Sequence, residues 1–358
     1  MRSTFHIITL AGLVVAVFST FLLFHPFVTT EAEAPPDQGL EPSEFTSGGG
    51  FPDTLGVSYG YDQSTPPDAP ILLRQSPFEP YDGREMGAWG NIQHRRVGAD
   101  EVIRLAPNFR LAQEGPAVLA LTASDTPTEA EVAAATVKLD LQSAAGAQEY
   151  GLPADLNFNA VAIYDPNSGA ILAIARFEPE PICDQIPSRS ALSLKQPESA
   201  PKTCIAIDPT SGLNKTGTAP AEVNIDEYRL IVDGAVENPL ELTFEQIKQY
   251  PSVSEVVLLI CSGFFADNVE WTGTPVSAVL EAARPKANFK ALRITSGSDG
   301  YWVNLEREDY DFDQVILAYQ VNGEDIPLEH GYPVRLVIKD EYGSKWVKWV
   351  KHIEVLEK

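Results

Sequence analysis

The residue with the most distinctive chemistry in this chain is Cys261, which ends an apolar run. The run Val256-Val257-Leu258-Leu259-Ile260 has the pattern of a buried strand, and Ser262-Gly263 follows the cysteine as a turn. A strand that delivers a thiol into a glycine-containing loop is suited to holding a metal, because the thiolate is the ligating form and favours soft or redox-active metals. A single cysteine after a buried strand is also commonly an inert core thiol, and that alternative stays open here.

A group of cationic residues near the C-terminus contrasts with the acidic chain around it. Its members are Arg335, Lys339, Lys345, Lys348 and Lys351, and His330 lies just before them. Backbone amides and one or two lysines in a loop that enters a strand can converge on a phosphate, and arginine adds a planar fork for the same ligand. The alternative is a solvated basic edge strand, which guards a sheet against aggregation.

Three stretches of the C-terminal part occur in a characteristic order and spacing. They are Cys261-Ser262-Gly263 with Trp271-Thr272-Gly273, then Leu317-Ala318-Tyr319 and Asn322-Gly323-Glu324 running into His330-Gly331-Tyr332-Pro333-Val334-Arg335, and finally Tyr342-Gly343 followed by Val347-Lys348-Trp349. Together they resemble the molybdopterin-binding domain of the sulfite oxidase family of oxidoreductases. The resemblance covers residues 228–356, and the N-terminal part lies outside it.

The resemblance implies a molybdenum–molybdopterin cofactor. Cys261 takes the position of the cysteine that ligates molybdenum, and it is the catalytic residue that the resemblance implies. The positions that match contacts to the pterin, its phosphate or the loop over them are His330, Arg335, Ser344, Lys345, Lys348, Ser298 and Asp299. The implied reaction is a two-electron redox reaction at the metal, commonly with oxygen-atom transfer, on a small-molecule substrate that the sequence does not identify.

Two places depart from the pattern of that family. Members that oxidise sulfite follow their cysteine with an Asn-Arg-Arg-like run that binds an anionic substrate, where this chain has Phe264-Phe265-Ala266. The segment before the first strand usually carries a pterin contact of the aromatic–Arg–x–His type, where this chain has Asn214-Lys215-Thr216-Gly217. The competing hypotheses are a cofactor-free binding or scaffold protein on the same fold and a purely structural envelope protein.

Length and charge limit the classes of function that remain. The chain has 358 residues, a hydrophobic content of 44% and a formal net charge of −24 at pH 7. This hydrophobic content is sufficient for globular domains with real cores. The acidic excess argues against a nucleic-acid partner, because neutralising phosphates requires a basic face.

The N-terminal segment, residues 1–28, is predicted to be a membrane anchor or an export signal. Residues 5–24 carry no charged side chain, and about 20 such residues in a helix span about 30 Å, the thickness of a bilayer core. We favour an uncleaved anchor, with cleavage near Ala32-Glu33-Ala34 as the alternative. Under either hypothesis the remaining chain is extracytoplasmic, in the periplasm or at the cell surface. An electron-transfer partner is then expected in the membrane or in solution.

Cys183 and Cys204 flank a loop rich in proline and serine, and we predict a disulfide between them. An oxidising compartment permits the bond, and closing a loop of about 20 residues stabilises a domain by roughly 3 kcal/mol in the chain-entropy model. Two free thiols are the alternative. Cys261 is left over in either case, and an odd thiol in an exported protein suggests metal ligation or an intermolecular bond.

The elements that position these residues are predicted to form an α+β architecture. We expect a flexible linker over residues 29–98, with His94 in a solvated turn, a small β-rich α+β domain over 99–212, and a mixed-sheet, sulfite-oxidase-like domain over 222–358. Residues 213–221 are interpreted as a polar linker. The predicted strands cover residues 118–122, 159–164, 170–177, 228–234, 256–260, 291–295, 315–320 and 333–338, and the predicted helices cover 130–135, 244–250 and 277–283.

Overall fold

The computed structural model describes residues 68–112 and 115–357. The predicted anchor or signal segment, and the predicted linker up to residue 67, lie outside the described residues. Within the described ranges no helix has the length and apolar character needed to cross a membrane. These ranges are built mostly from β-strands with a few short helices.

The N-terminal domain, residues 68–212, consists of antiparallel sheets that pack face to face. Its strands are β1 (Ile71–Pro77), β2 (Ala88–Trp89), β3 (Asn91–Val97), β4 (Asp100–Leu105), β5 (Arg110–Leu111), β6 (Val118–Thr122), β7 (Val137–Asp140), β8 (Gln148–Gly151), β9 (Ala160–Tyr164), β10 (Ile171–Arg176) and β11 (Ile205–Ala206), and its helices are α1 (Glu129–Ala133) and α2 (Arg189–Ser193). One sheet has the order β11-β1-β3-β4-β8 and another the order β10-β9-β6-β7. Side chains from both, including Ile103 and Ile163, share one buried cluster.

Several elements of this domain confirm the sequence predictions. Strand β6 covers the predicted residues, and β9 and β10 form the predicted hairpin. Thr128 caps α1, because its hydroxyl accepts a bond from the Glu131 amide at 3.2 Å while the Glu131 carboxylate accepts one from the Thr128 amide at 2.7 Å. This reciprocal pair satisfies two amides that the first turn leaves open.

The predicted linker over residues 29–98 is wrong from Ile71 onward, because β1 and β3 are paired strands in the middle of a sheet. His94 is fully buried on β3 and does not lie in a solvated turn. Its Nδ1 accepts a bond from the Arg74 guanidinium at 3.0 Å, and its Nε2 lies 2.9 Å from a Glu101 carboxylate oxygen. Burial, and then the positive charge of Arg74, lower the pKa of His94 to about 4, so the ring is neutral at pH 7.

The C-terminal domain begins with strand β12. Its strands are β12 (Leu230–Gly234), β13 (Leu240–Leu242), β14 (Val253–Cys261), β15 (Phe265–Pro275), β16 (Ala291–Ser296), β17 (Trp302–Glu306), β18 (Val315–Val321), β19 (Glu324–Asp325), β20 (Arg335–Ile338) and β21 (Val350–Leu356), and its helices are α3 (Phe244–Ile247) and α4 (Val276–Ala283). One sheet has the order β13-β12-β21-β16-β17; the other has the order β14-β15-β18-β19, with β20 also paired to β18. Their apolar faces share one buried core.

The predicted mixed sheet is confirmed, because β12 runs parallel to β21 while β21 runs antiparallel to β16. Thr243 caps α3 as predicted, although the helix ends at Ile247, earlier than expected. Strand β15 was missed as a strand. It pairs with β14 on one side and β18 on the other, and Gly273 permits the approach to β18, since a Cβ there would lie 2.3 Å from the Leu317 carbonyl oxygen.

Side-chain amides of the N-terminal domain cover the outer edge of β14. The Gln75 side chain donates to the Val256 carbonyl at 3.0 Å and accepts from the Val256 amide at 2.9 Å. Asn91 accepts from the Ser254 amide at 3.1 Å, and Asn108 donates to the Ser252 carbonyl at 2.9 Å. These bonds satisfy backbone groups of β14 that a neighbouring strand would otherwise pair with. They also hold in position β14, the strand that ends at Cys261.

A buried carboxylate joins the two domains. Glu270 on β15 is 1% exposed and accepts bonds from Arg104 at 2.7 and 2.8 Å and from the Gln93 amide at 2.8 Å. Arg95 lies 3.7 Å from the same carboxylate. Since both arginines belong to the N-terminal domain, their ion pairs with Glu270 link that domain to the C-terminal domain.

We expect Glu270→Ala to lower the free energy of unfolding by about 3–5 kcal/mol, because it removes the counter-charge of the buried Arg95 and the half-buried Arg104. Urea denaturation at pH 7 measures this value. The exposed pair between Glu241 and Arg229 provides the control, since Glu241→Ala should change stability by less than about 0.5 kcal/mol. Similar losses in both variants would contradict the role assigned to Glu270.

Candidate functional site

Alternation along the β14–β15 hairpin places Cys261 in the floor of a cavity of about 180 Å³. Side chains two residues apart on a strand share a face, and the hairpin contributes Leu259, Cys261, Phe265, Asp267 and Trp271 to the cavity. The remaining lining residues are Leu213, Asn214, Thr216, His330, Arg335, Gly343, Ser344 and Lys348. The cavity therefore brings the thiol together with most of the predicted cofactor contacts.

Arg335, on β20, is a buried cation with few partners. It is 5% exposed, and its guanidinium donates to the His330 carbonyl oxygen at 3.0 Å. It lies over the rings of Trp271 and Trp346, with its Cζ 5.2 and 5.8 Å from their centroids. Among the described residues, the Arg335 Nε has no hydrogen-bond partner. A buried guanidinium whose hydrogen-bond donors are not all satisfied favours the binding of an anion in the same cavity.

Lys348 and His330 lie beside Arg335. The Lys348 ammonium donates to the carbonyl oxygens of Thr216 and Glu329, at 2.8 and 2.9 Å. Burial, and then Arg335, lower the pKa of Lys348 to about 7 and that of His330 to about 3. Gly331 permits this close packing, because its φ is +115° and a Cβ there would lie 3.1 Å from the Cβ of Arg335.

Asp267 and Asn214 are pocket residues that the sequence analysis missed. Asp267 is 4% exposed, and its carboxylate accepts bonds from the Asn214 side-chain amide at 2.6 Å and the Asn214 backbone amide at 3.1 Å. Burial raises the pKa of Asp267 to about 6, and the bonds from Asn214 oppose that shift. The available signal was the position of Asp267 two residues after Phe265, in the stretch between the Cys261 turn and Trp271.

The interpretation of residues 213–221 as a polar linker is wrong for the start of that segment. Leu213 and Asn214 are buried, and together with Thr216 they form one wall of the cavity. The segment is held by Asp267 at Asn214 and by Lys348 at Thr216. Hydrogen bonds to Asp267 and from Lys348 thus hold this segment at the cavity.

The remaining predicted residues lie at or beyond the edge of the cavity. Ser344 lines it, whereas Lys345, Ser298 and Asp299 are not among its lining residues within the described ranges. The Lys345 ammonium donates to the Tyr310 hydroxyl at 2.6 Å and to Glu341 at 2.8 Å. Asp299 accepts from the Tyr301 amide at 3.0 Å, and the Tyr301 hydroxyl donates to the Ser344 carbonyl oxygen. Their cofactor roles stay predictions.

The chemistry at Cys261 depends on what binds beside it. Burial, and then the Asp267 carboxylate, raise the pKa of Cys261 to about 11. The residue is therefore a thiol at neutral pH unless a metal or another cation stabilises the thiolate. Cys261 is a free cysteine, whereas Cys183 and Cys204 form a disulfide in the structure.

Comparison with known proteins agrees with this geometry. The family described as the oxidoreductase molybdopterin binding domain matches residues 216–358. An uncharacterized oxidoreductase of Bacillus subtilis, YuiH, is 31% identical over 141 residues, which span 39% of this chain and 70% of that protein. The chain belongs to the molybdopterin-binding oxidoreductase domain family.

Other relatives are matched over smaller shares of their length. The NADPH nitrate reductase of Aspergillus niger is 27% identical over 157 residues, covering 36% of this chain and 18% of that enzyme. The crystal structure of the sulfane dehydrogenase SoxCD from Paracoccus pantotrophus is similar with a TM-score of 0.40 and 29% identity, over 42% of this chain and 44% of that chain.

The residues of the cavity fit the molybdenum cofactor that this family implies. Cys261 offers the soft ligand for the metal, and the unpartnered Nε of Arg335, with Lys348 and His330 beside it, offers donors for a phosphate. When bound, the cofactor supplies two-electron redox chemistry at the metal. The protein would bind and orient it between the thiol and the cations.

We expect Arg335→Ala and Lys348→Ala to weaken cofactor retention by about tenfold or more, because each removes a charge-assisted bond worth roughly 1.5–3 kcal/mol. Molybdenum and pterin per chain, measured after dialysis, report the loss. Lys351→Ala is the matched control, since Lys351 is an exposed residue of the next strand. Equal retention in all three variants would mean that the phosphate site is wrongly assigned.

The raised pKa of Asp267 predicts a specific pH dependence of stability. Between pH 4 and 6 the folded protein holds a proton on Asp267 that the unfolded chain releases. Asp267 therefore stabilises the folded state at low pH, and this contribution is lost as the pH rises through about 6. Relative to Asp267→Asn, wild-type stability should fall by about 2 kcal/mol from pH 4 to pH 7. Urea denaturation of both proteins from pH 4 to pH 7 tests this prediction. A difference in unfolding free energy that does not change with pH would contradict the raised pKa of Asp267.

Proposed function

We propose that this protein is an extracytoplasmic, molybdenum-cofactor-dependent oxidoreductase that carries out a two-electron redox reaction, with oxygen-atom transfer as the expected type, on a small substrate. The observation that carries the proposal is the placement of Cys261 and the under-bonded Arg335 in one cavity. A cofactor-free scaffold would gain nothing from keeping such a cation buried, since an unpaired buried charge costs free energy.

The surroundings of Cys261 support a substrate that is not a small dianion. Phe265 and Asp267 line the cavity near the thiol, and Phe264 occupies the turn between them and Cys261. Ala266 points away from the cavity, into a cluster with Leu192. These positions present apolar and acidic groups, which favour an uncharged or cationic substrate over an anionic one.

The disulfide between Cys183 and Cys204 supports the extracytoplasmic location, because such bonds persist mainly in oxidising compartments. The uncharged segment at residues 5–24 supports attachment to a membrane. We further propose that an electron-transfer partner, in that membrane or in solution, exchanges electrons with the cofactor.

Metal analysis of protein purified from a host that makes the cofactor tests the proposal directly. We expect about one molybdenum per chain, because the domain offers one thiolate ligand in the cavity. Cys261→Ser should lose most of the metal while keeping its fold, as judged by circular dichroism. A native protein without molybdenum and without pterin fluorescence would refute the enzyme hypothesis and favour the cofactor-free alternative.

A further inference from the structure

A segment of the N-terminal domain, outside the family match, lies against the wall of the cofactor cavity. It runs from Cys183 to Cys204 and is called the strap here. The disulfide joins its two ends, and the Cys204 amide donates to the Leu72 carbonyl on β1 at 2.8 Å. The strap is therefore a closed loop fixed to one edge of the N-terminal sheet, and it contains α2 and the 3₁₀ turn Pro197–Ser199.

The strap contacts the chain on both sides of Cys261. The Gly263 amide, two residues after the thiol, donates to the Ser193 carbonyl at 2.9 Å. Ile260, immediately before the thiol, packs in a buried cluster with Leu192 and Ala200 of the strap. The cysteine thus lies between two residues that the strap holds.

The strap also contacts a second loop of the cavity. The Tyr342 hydroxyl donates to the Gln196 side-chain carbonyl, and Lys202 forms an ion pair with Asp340. Tyr342 directly precedes Gly343 and Ser344, which line the cavity. Because Tyr342 also forms a parallel bridge with Ile260, the two cavity loops meet where the strap holds both of them.

A buried ion pair fixes the strap next to β15. The Arg189 guanidinium donates to the Asp208 carboxylate at 2.7 Å, and the other Asp208 oxygen accepts a bond from the Asn268 amide at 2.8 Å. Asn268 is the neighbour of Asp267, the acidic residue of the cavity. The strap is thereby held against the strand that carries the floor of the cavity.

We propose that the strap is a positioning element of the cofactor site, which holds the loop of Cys261 and the loop of Ser344 together across the cavity. The site is then built from both domains, and the disulfide between Cys183 and Cys204 keeps the strap in place. The identity of the cofactor rests on the proposed function, but the loop positions are measurable without it.

The test measures the alkylation rate of Cys261 by iodoacetamide in the full chain made without cofactor. The chain has three cysteines, so Cys261 is the sole thiol both in the disulfide-bonded protein and in the Cys183→Ser/Cys204→Ser variant. We expect this variant, and Gln196→Ala, to react about tenfold faster, because freed loops open more often. Ile182→Ser, beside the disulfide at an exposed position, is the control and should react like wild type.

Hydrogen exchange separates positioning from a general loss of stability. Amides of residues 257–266 and 340–346 should exchange faster in the two test variants, while those of β6 and β9 should keep the wild-type rate. Unchanged alkylation in both variants, or equal acceleration in every peptide, would overturn the proposal.

Molybdenum content links the strap to the cofactor. Cofactor-loaded Cys183→Ser/Cys204→Ser should lose molybdenum severalfold faster on dialysis than loaded Ile182→Ser. Equal loss would overturn the positioning role at the cofactor. A wild-type chain that never contains molybdenum would refute the proposed function instead, and the alkylation result would still decide whether the strap holds the loops.

Discussion

The edge of β14 is the constraint on which the rest of the structure depends. A strand with an open edge must satisfy its outward amides and carbonyls, and here Gln75, Asn91 and Asn108 of the N-terminal domain supply the bonds. Because β14 ends at Cys261, these contacts also determine where the thiol lies. The N-terminal domain is therefore part of the architecture of the site, although the family match does not include it.

The cavity contains charged groups of both signs, from different elements of the C-terminal domain. The cations Arg335 and Lys348 line it together with Asp267 and Cys261, and Asp267 neighbours Cys261 on the β14–β15 hairpin. Within the described ranges the Asp267 carboxylate is held by two hydrogen bonds from Asn214. This arrangement provides an attractive field for a phosphate next to an environment near the thiol that disfavours anions.

Sequence reasoning recovered the parts of the protein that follow local rules. The capping box at Thr128, the β9–β10 hairpin and the strand before Cys261 all depend on nearby residues, and the family motif added Arg335 and Lys348. Strands β1 and β3 were missed because charged side chains normally indicate exposure. Several partners of these charges come from other strands or segments, and the same reason concealed Asp267, whose partner Asn214 lies on another segment.

The shared carboxylate of Glu270 has a consequence for how the protein is made. During synthesis the N-terminal domain leaves the ribosome first. Its residues Gln93, Arg95 and Arg104 contact Glu270, which follows each of them by more than 160 residues in the chain. Domains usually fold in order as they emerge, but the arginines of this one lack the Glu270 carboxylate until β15 has been synthesised. The interface between the domains is therefore completed only after β15 has been synthesised, and the same holds for the cavity that β15 lines.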